Sequence, residues 1–155
     1  MAILKGKNKA LIEAGKKVSG GEINGRVKVL HETYTFLAEA AISDVIELPN
    51  LPIGAKVLDA YVSGPSLGAT GIFTLGNRAT VDADKNVIAA DPDSYVASVD
   101  LGGAAALVRA GVAGKEAGLL VRYGEQETQP VLTCTEVTTT ATGKTIEVVI
   151  EFTLD

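Results

Sequence analysis

Residues 145–154 read TIEVVIEFTL. Ile146, Val148, Ile150, Phe152 and Leu154 occupy one parity, while Glu147, Glu151 and Thr153 occupy the other. Successive side chains of a strand point to opposite faces, so five apolar residues at a period of two describe a strand with one face buried and one in water. These five are therefore expected to face a core, with Glu147 and Glu151 outside.

The segments before it carry the same signal in weaker form. PVLTCTEV (130–137) is rich in β-branched residues and is joined to 145–154 by TTTATGK, whose Thr-Gly-Lys step can turn the chain back. An antiparallel hairpin of the two is expected. Further strands are expected in RVKVLHETYTFLA, ISDVIEL, KVLDAYVS, GIFTLG, SYVASV and GLLVRY, each bounded by Gly, Pro, Asn or Asp. Short strands at this spacing make the chain all-β, a sandwich or a barrel. In the first of these segments Val27 and Val29 share one parity and Tyr34 and Phe36 the other, which predicts a bulge or a change of sheet near His31. GGAAALVRAGVAG stays open between a short helix, which its alanines favour, and a loop, which its glycines favour.

A length of 155 residues suits one domain with a single core. Apolar residues make up 46% of the chain, yet there is no run of about 20 of them to span a bilayer, so a soluble chain without membrane association is expected. The first 20 residues lack the apolar centre and small-residue cleavage site of a secretory signal and are expected to be retained. Cys134 is the only cysteine, so no intrachain disulfide can form and stability must come from packing and association.

Charge is distributed unevenly. Residues 1–28 hold seven basic residues against Glu13 and Glu22, a net +5, while the remainder holds seven basic and seventeen acidic residues, a net −10. The segment KNKALIEAGKK could form a helical turn or two, but Gly15, Gly20, Gly21 and Gly25 interrupt the chain from there to the first strand, and short isolated helices are weak in water. Two units are expected: an arm over 1–25 and a β domain over 26–155. The asymmetry suits an arm that docks on an acidic partner, whether a neighbouring subunit or nucleic acid, and equally a solvated tail. The arm residues with docking chemistry are Lys5, Lys7, Lys9, Leu11, Ile12, Lys16 and Lys17.

Catalytic chemistry is sparse. His31 is the only histidine, which excludes His-rich zinc sites, and no nucleophile motif accompanies it. Cys134 sits in a Thr-rich strand without a basic neighbour in sequence and reads as an inert thiol. GPSLGATG has neither the Lys-Ser/Thr ending of a phosphate loop nor GxGxxG spacing, so a tight connection is expected. Asp82, Asp84 and Asn86 alternate as at the start of a calcium loop, with Asp93 at the twelfth position. Val87 stands where that loop needs glycine, so an ordinary polar turn is the reading. An acidic body with no tryptophan and 5% aromatic residues offers neither a basic groove nor a stacking platform, so direct nucleic-acid recognition is not expected. No catalytic residue, metal or cofactor is assigned, and an enzyme is disfavoured.

The stretch VIELPNLPIGAKVLDAYVSGPSLGATGIFTLGNRATVDADKN and the ending TATGKTIEVVIEFTLD resemble small virion proteins of tailed bacteriophages. In those, an aliphatic strand, a Leu-Pro…Gly turn, a strand like KVLDAYV and a Gly-rich connection precede another strand. The resemblance covers about half the chain and carries no site residues. It implies a capsid decoration, or cement, protein: a jelly-roll-like β-sandwich with an extended N-terminal arm, trimeric, bound to the major capsid protein on the virion exterior after a period in the host cytoplasm. Self-association suits that role, because several weak contacts to a symmetric lattice add to a strong one. The alternative is a head-fibre or tail component that binds a host receptor or glycan. Such a protein should carry a second attachment domain or a fibrous repeat, and neither is visible.

Overall fold

The computed structural model describes residues 26–81, 84–110 and 127–154. They form ten strands: β1 (Lys28–Thr35), β2 (Val45–Glu47), β3 (Ala55–Gly64), β4 (Ile72–Asn77), β5 (Thr80–Val81), β6 (Val87–Ile88), β7 (Asp91–Asp100), β8 (Ala106–Arg109), β9 (Pro130–Glu136) and β10 (Thr145–Leu154). Two four-stranded antiparallel sheets have the orders β1-β10-β3-β8 and β2-β9-β4-β7, and β5 with β6 makes a small separate hairpin. Pairing is nested. β1 pairs with β10, β2 with β9, β3 with β8 and β4 with β7, as in one long hairpin whose tip is β5–β6. The long hairpin is rolled into two layers by the cross-pairs β10·β3 and β9·β4.

The alternation in 145–154 decides how the layers meet. Ile146, Val148, Ile150 and Phe152 are buried and Leu154 is half-buried at the end of the strand, while Glu147 is exposed. Leu30 and Tyr34 of β1 and Ala60 and Val62 of β3 share that inner face. Phe73 and Leu75 of β4, Val96 and Val99 of β7, and Leu132 and Cys134 of β9 close the core from the other sheet. Fully burying one such aliphatic or aromatic side chain stabilises by about 1.5–3 kcal/mol, so the interior formed by these rows is the main source of stability. KVLDAYVS departs from strict alternation because the register with β10 shifts between Glu151 and Phe152, which face Asp59 and Val57. Leu58 is the extra residue of this bulge, and it resets the parity so that Val57 and Ala60, three apart, both point inward.

Three expectations are corrected. First, 130–137 and 145–154 do not form a hairpin. β9 lies in one sheet and β10 in the other, and the connection TTTATGK crosses between layers. Each strand has its own apolar face to bury, so Leu132 and Cys134 enter the same core as Ile146 and Ile150 from the opposite sheet instead of lying beside them. Second, β1 has no irregularity near His31: Lys28 through Thr35 pair residue by residue with Phe152 through Thr145. The parity conflict is resolved by exposure, since Val27 and Val29 stand on the outer face at 53% and 58% exposed. Third, part of GGAAALVRAGVAG is neither helix nor loop: Ala106–Arg109 is β8, paired with Gly64–Tyr61. Edge pairing there overrides the helical preference of alanine. GLLVRY lies outside the described residues.

GPSLGATG is the tight connection expected of it. Gly68 has φ 124°, and a Cβ there would sit 1.9 Å from Thr139 Oγ1. Leu67 is fully buried, its carbonyl accepts from Thr139 N at 3.1 Å and Thr140 N at 3.0 Å, and its N–H donates to Leu101 O at 2.8 Å. The segment seals one end of the sandwich.

Candidate functional site

β1 and β2 are edge strands of opposite sheets, and the connection between them, residues 36–44, spans the gap. The edge of β1 is blunted by two charged residues on its inward parity, Lys28 and Glu32, opposite Phe152 and Val148. Inward-pointing charge of this kind opposes uncontrolled strand addition. At the Thr35 end of β1 the layers part to leave a cleft of about 260 Å³. Phe36, Phe73 and Cys134, all buried, line it, and Tyr34, Val45 and Ile46 border it. Tyr34 meets Phe36 edge-on, with centroids 5.1 Å apart and planes at 89°, and Phe36 lies 6.0 Å from Phe73. Such aromatic contacts add about 0.5–1.5 kcal/mol each beyond the area they bury, which makes this lining firm.

The rim joins apolar and acidic groups. Leu37 is 88% exposed, Ile42 62% and Val45 43%. Asp44 Oδ2 accepts from Ala41 N at 2.8 Å, closing the turn in which Ser43 takes φ 73°. Glu39 is a heavily bonded carboxylate: it accepts from Ala141 N at 2.8 Å, Thr138 Oγ1 at 2.9 Å, Thr142 Oγ1 at 2.9 Å and Thr142 N at 3.1 Å. The Ala141 amide, against opposing desolvation and with help from Thr142 and Thr138, holds its pKa down to about 2 from 4.5. Glu39 thus ties the 36–44 connection to the crossing between β9 and β10. No local pattern marked this residue, because its partners lie about a hundred positions away in sequence.

The outer face of the β1-β10-β3-β8 sheet carries a row across all four strands: His31, Val149, Tyr61 and Arg109. Arg109 forms an ion pair with Asp59, and this hydrogen bond and charge raise the guanidinium pKa. Tyr61, Leu107, Arg109 and Glu151 border a shallow depression there of about 300 Å³. Val149, on the outward parity, is only 7% exposed because it stands between His31 and Tyr61. On the other sheet Arg78 pairs with Glu47 in water.

The sequence candidates fall out as follows. Lys5, Lys7, Lys9, Leu11, Ile12, Lys16 and Lys17 lie outside the described residues. His31 is an exposed residue of the outer row. Burial raises the Cys134 thiol pKa, the Asp44 charge adds to this, and its Sγ donates to Glu136 O at 3.2 Å. Such a thiol is a poor nucleophile at neutral pH. Asp84 and Asn86 belong to the β5–β6 turn, where Lys85 takes φ 66°, and Asp82 is outside the described residues. Asp93 is placed in β7, where a hydrogen bond between its carboxyl and that of Asp91 raises the Asp91 pKa. Among the described residues no group of three or more His, Cys, Asp or Glu could hold a metal ion. Nor is any helix among them long and apolar enough to cross a membrane.

Comparison with solved structures reveals the same architecture elsewhere. A chain in the capsid of Ralstonia phage GP4 matches with a TM-score of 0.66 and 22% identity, over 84% of this chain and 86% of that one. A chain in the capsid asymmetric unit of cyanophage Pam1 matches with a TM-score of 0.59 and 19% identity, over 90% of this chain and 92% of that one. At these identities the likeness is one of fold. No protein-family model matches the sequence, and no curated protein matches it.

Proposed function

We propose that this chain is a phage virion structural protein that decorates and stabilises a capsid by binding its major capsid protein lattice from outside. The observation that carries the reading is the fold likeness to a phage capsid chain over 84% of this chain at a TM-score of 0.66. The nested pairing of eight strands in two sheets supports it, since this is the order of a jelly roll, an architecture common among capsid domains. The chemistry of the described residues agrees: the lone thiol is buried, the histidine is exposed on a sheet face, and the polar groups of the cleft rim are spent on loop closure. We take the protein to act without catalysis.

In this reading the folded body is rigid, and attachment comes from self-association and from the arm. A homotrimer on a symmetric lattice would multiply weak contacts. Lys5, Lys7, Lys9, Lys16 and Lys17 would meet an acidic shell surface, with Leu11 and Ile12 as the apolar anchor. The chain would occupy the host cytoplasm until shells are available. The decisive experiment is cryo-EM of purified particles containing the chain. Copies in lattice-symmetric positions on the outer shell are the expected result. Copies confined to a fibre or the tail would overturn decoration in favour of receptor binding.

A further inference from the structure

Four strands bound the two large sheets, and three of them make poor edges for further pairing. β2 has three residues and β8 four, while β7 carries Pro92 and two register irregularities against β4. Short strands, proline and bulges are ordinary means of closing an edge. β1 has none of them. Its eight residues pair one to one with β10, and no described strand lies on its other side. The direction of its backbone groups follows from its far end. Phe36 N donates to Lys144 O at 3.0 Å and Phe36 O accepts from Gly143 N at 2.7 Å, so the main chain of Phe36 faces the β10 side. In an antiparallel ladder alternate residues turn both N–H and C=O to the same side. Lys28, Leu30, Glu32 and Tyr34 therefore also bond towards β10, whereas Val29, His31 and Thr33 turn theirs to the open edge. The Thr33 amide agrees, since it donates at 3.0 Å to the Glu32 carboxylate and not to β10.

The residues along this edge are complementary to themselves. Lys28 and Glu32 share one face, with Leu30 midway between them. A second copy laid antiparallel and centred on Leu30 sets each Lys28 opposite the other copy's Glu32, with Leu30 against Leu30 between the two charge pairs. The same register brings together the residues whose main chains face outward, Val29 with His31 and, one step beyond the strand, Val27 with Thr33. Both pairings occur twice about the two-fold axis, which allows about eight backbone hydrogen bonds. Lys28 has no ion pair among the described residues, and Val27 and Val29 are each more than half exposed. On pairing, Glu32 leaves its own Thr33 amide for the other copy's Lys28, and Thr33 N donates instead to the other copy's Val27 O. Moving the centre to Val29 or to His31 sets Lys28 against Leu30 or Tyr34, so charge pairing selects Leu30.

We propose that β1 is a joining edge at which two copies of this chain pair antiparallel about Leu30 and fuse their β1-β10-β3-β8 sheets into one. The contact is isologous and closes on itself, so it links copies in pairs without growing a fibre. A single short ladder belongs with the small contacts, below about 1,200 Å², that form where copies are crowded and not in dilute solution. The proposal goes beyond the capsid reading: trimers made through another face would be linked at β1, and the pairing can fail while shell binding holds.

Disulfide trapping of the full chain in concentrated solution tests it. Val27→Cys and Thr33→Cys chains, mixed and oxidised with diamide, should give a covalent pair on a denaturing gel, whatever other contacts the chain makes. Either variant alone should give at most a trace, because like positions would stand about 20 Å apart along the joint. The unaltered chain, whose Cys134 is buried, should give none. Adding Lys28→Glu to both partners should remove the pair. Lys28→Glu/Glu32→Lys in both should restore it, a rescue that damage to the fold would not show. A mixture that yields no pair overturns the proposal, as does an equal yield from one variant alone. Preferential trapping of Thr33→Cys by Val29→Cys, or of Val27→Cys by His31→Cys, moves the centre off Leu30 and overturns the charge-selected register.

Discussion

Replacing Ile150 probes the assignment on which the sandwich depends. The side chain is fully buried in the middle of β10, flanked in the sheet by Leu30 on one side and Ala60 on the other, and it faces the opposite layer. Removing one methylene with Ile150→Val should cost about 0.5–1.5 kcal/mol, and Ile150→Ala about 2–5 kcal/mol, because the packed neighbours collapse only partly into the space. Glu151→Ala, one residue on and on the outward parity, should stay within about 0.5 kcal/mol. For a domain of this size 1 kcal/mol moves the melting temperature by about 2–4 °C, so the alanine variant should melt roughly 4–20 °C lower. Urea unfolding followed by circular dichroism reads all three as midpoint shifts at constant slope, since the area exposed on unfolding hardly changes. An Ile150→Ala cost below that of Glu151→Ala would refute the inward assignment of the alternating set.

Glu39 contributes stability that depends on pH: its folded pKa of about 2 is depressed from 4.5, so the contribution is complete above 4.5 and is lost as pH falls toward 2. Glu39→Gln should therefore lower the urea midpoint at neutral pH and flatten the acid limb, and superimposable pH profiles would remove the clamp. Gly76→Ala should destabilise by about 1–3 kcal/mol or more, because its Cβ would meet Asp91 O at 2.0 Å and the Pro92 carbonyl carbon at 2.4 Å, and backbone cannot step aside as a side chain can. Gly54→Ala, with φ 79° and open space around it, should show only the left-handed strain of about 1–2 kcal/mol in the same thermal melts. Removing residues 1–20 should leave the melting of the β domain intact and weaken binding to shells. That binding should fall with added salt if lysines dominate, since charges are screened over about 8–10 Å at physiological ionic strength. Equal shell occupancy by full-length and truncated chains at every salt concentration would take the arm out of attachment. Light scattering should return a trimer mass, and a monomer at micromolar concentration and in the particle would refute self-association.

Local sequence carried the strand content and much of the facing. The parity of Ile146 to Phe152 survives folding because it reflects one strand meeting one core, and the glycines of GPSLGATG mark a tight connection because Gly68 and Gly71 take positive φ, although the space at Gly68 is also closed by distant Thr139. Partnership between strands was a different matter. Nothing in PVLTCTEV or TIEVVIEFTL says whether the two lie side by side or face to face, since both arrangements bury the same apolar residues. The bulge at Leu58, the pairing of Ala106–Arg109 with β3, and the outward placement of Val27 and Val29 depend on neighbours supplied by distant parts of the chain. The candidate site is of the same kind. Glu39 takes its role from Thr138, Ala141 and Thr142, and the cleft exists only where the edges of two sheets diverge, a relation between strands that no linear pattern encodes.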